Sequence, residues 1–182
     1  MAPEPHNVAH REIEQELWAW LSDFVTVANE FYRFKFPPCP YARGALMAQT
    51  VDVVAWQSGD LRTFIRDHAI RLRENQKLTT LVMAFPPRTQ LAWGITEYVE
   101  RLNAELIPDN VFLNTGVAKS TQSRYPGSAG QPYFIIVANS LDVVLKGAKS
   151  LQKSDYYQDW PKAHYENVVE RRARLAQRYR KI

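Results

Sequence analysis

The chain has 182 residues, 46% of them hydrophobic and 12% aromatic, with a net charge of +4. That is enough for one sizeable core, and it lies outside the disordered range. No apolar run reaches the roughly 18 residues of a membrane span, and the single cysteine, Cys39, rules out an internal disulfide. The start "MAPEPHNVAHREIEQELW" carries no basic-then-apolar leader, and no Cys/His spacing fits zinc. The expectation is a soluble, cytoplasmic protein with no membrane partner. The charge is uneven: residues 162–182 hold seven basic residues against Glu166 and Glu170, so the remainder is slightly acidic.

In chain order, apolar residues at helical spacing (Ile13, Leu17, Trp20, Leu21, Phe24, Ala28, Phe31) predict a first helix from about Asn7, its N-cap, to Phe31. It must stop before Pro37 and Pro38. There follows "FKFPPCPYARGA" (34–45), in which three prolines stiffen the backbone around Cys39 into an extended form and Gly44 turns the chain toward the next strand. "MAQTVDVVAW" (47–56) reads as a strand. Ser58 or Asp60 then caps a helix whose inward face is Leu61, Phe64, Ile65, His68, Ala69 and Leu72. "KLTTLVMAF" (77–85) is a second strand, and a helix follows from about Thr89 to Leu106. "NVFLNTGVA" (110–118) and "PYFIIVANS" (132–140) are two more strands, separated by the polar, turn-rich stretch 119–131. Ser140 caps a short helix to Leu151, and the linker "SDYYQDWP" leads into a basic C-terminal helix over 162–182. The order predicts a single-domain α/β sandwich: a mixed four-stranded sheet covered by helices, with helices at both ends of the chain.

Four features carry candidate chemistry. Cys39, rigidly presented beside Arg43, reads as a small buried hydrophobe, as a pocket wall, or as a thiol whose pKa the nearby cation lowers. Of the histidines, His6 and His10 lie at the chain start and His68 on an apolar face, whereas His164 sits beside Trp160 and Tyr165 in "DWPKAHYE". There it reads as a general base, a metal or haem ligand, or an imidazole simply packed on Trp160. The 119–131 stretch, with Lys119, Arg124 and Tyr125, has the composition of an anion cradle but no Walker motif. Arg171, Arg174, Arg178 and Lys181 form a stripe along the last helix that suits nucleic acid or an acidic protein partner, or is a solvated face.

The run Phe36, Pro38, Cys39, Pro40, Tyr41, Ala42, Arg43 after an N-terminal helix resembles two groups of small α/β proteins. One is an uncharacterised bacterial family with a Leu-Cys-Pro-Phe-Ala-Lys segment. The other is the YqcI/YcgG family, to whose C-terminal half "PYFIIVANS" and "YYQDWPKAHYENVVERR" are also similar. Some of its members are haem-dependent enzymes that hydroxylate a guanidino or amino nitrogen. The resemblance implies an oxidoreductase acting on a polar, nitrogen-containing small molecule. In that reading Cys39 and His164 are catalytic, and Arg43, Arg124, Tyr125 and Trp160 bind substrate. Where those enzymes carry a histidine after the matching strand, this chain has Asn139 and Ser140, so haem would need His164 as its metal ligand. The alternative is a non-enzymatic protein that binds nucleic acid or an acidic partner through its last helix.

Overall fold

The computed structural model describes residues 5–86, 94–116 and 133–180. The 119–131 stretch, with Lys119, Arg124 and Tyr125, and the terminal Lys181 lie outside the described residues.

One sheet organises the chain. Its strands are β1 (Val51–Ala55), β2 (Thr80–Phe85), β3 (Val111–Gly116) and β4 (Phe134–Ser140), in the order β1-β2-β4-β3. β1 and β2 are parallel, while β4 runs antiparallel to both β2 and β3. The central β2 is a continuous apolar run because both of its faces are covered, and Leu81 through Phe85 are all buried. The expected mixed four-stranded sheet is therefore the one observed.

Strand alternation sends each residue set to its own helical layer. Leu81, Met83, Phe85, Leu113, Ile136 and Ala138 face α3 (Leu61–Glu74) and α4 (Ile95–Leu106) through Ile65, Ala69, Val99 and Leu102. On the opposite face, Val53, Val82, Ala84 and Ile135 meet Leu17 of α1 (Pro5–Trp20), together with Leu21 and Val25. Next to them Phe112 packs with Leu141 of α5 (Leu141–Leu151) and Ala176 of α7 (Arg171–Tyr179). Among the described residues no helix is long and apolar enough to cross a membrane.

Four local expectations are corrected. The first helix already covers Pro5, so Asn7 lies within it and not at its N-cap position. It also stops early: α1 ends at Trp20, a widened turn covers Leu21–Val25, and a separate short turn forms at Glu30–Tyr32. The β-branched run Val25, Thr26, Val27 disfavours helix, and the Thr26 hydroxyl donates to the Ser22 carbonyl at 2.7 Å. Gly44 lies within the short α2 (Ala42–Met47) instead of turning the chain, and the turn is made by Gln49 at φ 54°. Ser140 precedes α5 but its side chain does not cap it. Asn110, just ahead of the neighbouring strand β3, does so, its Oδ1 accepting from the Asp142 amide at 2.9 Å.

The C-terminal helix forms as α6 (Lys162–Tyr165), a widened turn over Glu166–Glu170, and α7. Pro161 directly precedes α6, and its carbonyl accepts from the His164 amide at 2.9 Å.

Candidate functional site

Two segments far apart in sequence build one aromatic cluster. The first runs from Asn29 to Tyr41. Its turn places Arg33 and Phe34 at φ 54° and 57°, a left-handed conformation unusual for side chains of this size, and leaves Phe34 71% exposed. The second is the turn-rich stretch 152–160 between α5 and α6. Ion pairs join them on the outside, Arg33 to Asp159 at 2.8 Å and Lys35 to Asp155 at 2.5 Å.

Tyr156 joins them on the inside. It is buried, stacks on Tyr32 with ring centres 4.7 Å apart, and takes the edge of Phe36 at 5.5 Å. Its hydroxyl contacts the Pro38 carbonyl at 2.5 Å and the Tyr32 hydroxyl at 3.2 Å. Burial, then the neighbouring Tyr32, pushes its pKa far up, so it stays a neutral phenol. The rings continue outward: Tyr157 lies 4.9 Å from Trp160, and Trp160 lies 4.4 Å from the His164 ring.

Cys39 sits beneath this cluster, in a turn instead of the extended form expected. Its amide donates to the Val25 carbonyl at 3.1 Å and its carbonyl accepts from the Ala42 amide at 3.1 Å. The residue is exposed at the surface, yet protein surrounds the thiol closely enough that lost solvation pushes its pKa up. The amides of Tyr41 and Ala42 pull it back in part, as does a cation. That cation is Arg172, not Arg43; Arg43 is exposed on α2 and makes no hydrogen bond or ion pair among the described residues. The thiol is therefore not an activated one.

His164 is half-buried, and burial lowers its pKa, which favours the neutral imidazole. Beside it is an open crevice of about 420 Å³, walled by Tyr157, Trp160 and Tyr165 and edged by Gln152, Gln158 and Lys162. The Gln152 amide donates to the Tyr165 hydroxyl at 2.7 Å, which fixes that wall. His164 packs against Trp160 and is not one of the residues lining the crevice. Among the described residues no group of three or more His, Cys, Asp and Glu side chains is placed to hold a metal ion.

The structure thus brings Cys39, Trp160 and His164 to one region and leaves Arg43 apart. Two cations of the basic stripe are paired, Arg171 with Glu100 of α4 and Arg174 with Glu170 at 3.4 Å, while Arg178 keeps its charge over the Tyr179 ring at 5.3 Å.

Sequence reasoning missed Arg172. It is 8% exposed, although it lies among residues read as solvated. The signal was its spacing: Tyr165, Val169, Arg172, Ala176 and Tyr179 follow the four-three pattern of a buried stripe, with a cation where an apolar side chain belongs. Tyr156 was missed as well, because it lies in a stretch without periodicity. Comparison with family models, with characterised proteins and with solved structures finds no match to this chain.

Proposed function

We propose that the chain is an enzyme acting on a small, polar, nitrogen-containing molecule held in the crevice of Tyr157, Trp160 and Tyr165. The observation that supports this is the wall itself. Its volume of about 420 Å³ lies within the ordinary range for small-molecule sites, and apolar ring faces alternate with the amides of Gln152 and Gln158. Ring faces attract amino and guanidino groups, and the amides orient them. Cys39 acts here through packing, as a neutral thiol at the base of the cluster.

Haem, which the family resemblance implies, would be held through His164, since burial favours the neutral imidazole that ligates iron. When bound it would supply oxygen activation. This extension rests on the resemblance and on that imidazole.

A metabolite screen by thermal shift tests the reading, because a ligand that binds only the folded form raises the midpoint. A polar nitrogen compound is expected to stabilise the chain and to lose its effect in Trp160→Ala. A screen without any hit would overturn the crevice. Titration with haem tests the extension separately, with a Soret band expected for the native chain and absent in His164→Ala.

The second reading, binding of nucleic acid or an acidic protein through the last helix, draws on the exposure of Arg174 and Arg178. Changing Arg171, Arg174 and Arg178 together to Gln should abolish any salt-sensitive binding, and unchanged binding would end that reading.

A further inference from the structure

A buried cation needs a counter-charge, because stripping a guanidinium of water without pairing it is costly. Arg172 is 8% exposed, its Nε is buried with no hydrogen-bond partner, and it enters no ion pair with a described carboxylate. The carboxylates of the last helix, Glu100 and those of the 152–160 turn are engaged elsewhere: Glu170 with Arg174, Glu166 with Lys162, Glu100 with Arg171, Asp155 with Lys35 and Asp159 with Arg33.

The groups that sense Arg172 are Cys39 and Tyr157. Neither is an anion at neutral pH. Burial raises the Cys39 thiol, and burial likewise pushes Tyr157 up to about 12 even against the pull of Arg172. Tyr157 is also a wall of the crevice, so the positive field of Arg172 is felt there. Lys162, which pairs with Glu166, also lines the crevice.

We propose that Arg172 is the anchor for an oxyanion, a carboxylate or phosphate, that reaches it past Tyr157 and Cys39. A planar guanidinium suits both groups through paired N–H donors, and the Tyr157 hydroxyl can add a third donor. That the oxyanion belongs to the crevice ligand rests on the function proposed above; the anchor itself does not.

The test uses the full chain, with acetate and inorganic phosphate as probes and sodium chloride at equal ionic strength as the control. One or both probes should raise the thermal midpoint saturably beyond the chloride effect, and which one does so distinguishes carboxylate from phosphate. In Arg172→Met the apparent affinity should fall at least tenfold, while the anion-free protein is as stable as the parent or more so, because an apolar side chain then fills the buried position. Should Arg172→Met fail to fold, Arg172→Lys, which keeps the charge and loses the fork, should show a weakened response. A native chain that responds no more than to chloride, or variants that respond as the native chain does, would overturn the anchor. A response lost in the Arg172 variants but kept in Trp160→Ala upholds the anchor and separates it from the crevice.

Discussion

The hydroxyl of Tyr156 donates to the carbonyl of Pro38 at 2.5 Å, across 118 residues of chain. This bond seats the 152–160 turn on the proline-rich segment and so sets the position of every ring outward from it. Tyr156→Phe keeps the stack on Tyr32 but leaves the part-buried carbonyl without this donor. A loss of roughly 1–3 kcal/mol is expected, measured by denaturant unfolding. The Trp160 fluorescence environment should change with it, and an unaltered protein would mean that the hydroxyl contributes nothing to the cluster.

Cys39 should be a slow thiol. Its pKa is raised by burial, so little thiolate is present at neutral pH. Iodoacetamide should modify it more slowly than a free thiol compound at pH 7, with a rate that climbs as pH rises. Arg172 pulls that pKa down, so Arg172→Met should slow labelling further. Labelling as fast as the free compound would restore an activated cysteine.

His164 makes stability fall on the acid side. Its pKa in the folded protein lies below the unfolded value of about 6.5 because burial disfavours the charged ring. Between those values the unfolded chain binds the extra proton, so stability rises with pH across that window and declines as pH drops through it. Because other ionisable groups also contribute to the pH dependence of stability, the measurement is a difference. The native chain should lose more stability than His164→Gln between pH 7 and pH 5, and parallel curves would contradict the burial of the ring.

Asn103 clamps the edge of the sheet. It is 1% exposed, donates to the Leu113 carbonyl at 3.0 Å and accepts from the Leu113 amide at 2.7 Å. These are the outward-facing groups of β3, which no further strand among the described residues satisfies. Asn103→Ala would strand both, each costing about 1–3 kcal/mol. Hydrogen exchange should show the Leu113 amide losing protection first.

The sequence by itself determined the succession of the four strands and the main helices, though not α2, and the mixed four-stranded sheet. The apolar runs at Leu81–Phe85 and Phe134–Ala138 and the helical spacing of Ile65, Ala69 and Leu72 are local patterns, and burial of one stripe or one face follows from them. It also marked out Cys39, Trp160 and His164 as neighbours of something. Only the tertiary structure decided what that was. Asn110, not Ser140, caps α5; the Pro38 carbonyl meets Tyr156; and Arg172, read as one cation among seven, is the buried one. Each depends on which distant surface arrives beside a residue. Periodicity says where a side chain points, but solvation and charge depend on what is packed against it, and that is settled only when the layers close on the sheet.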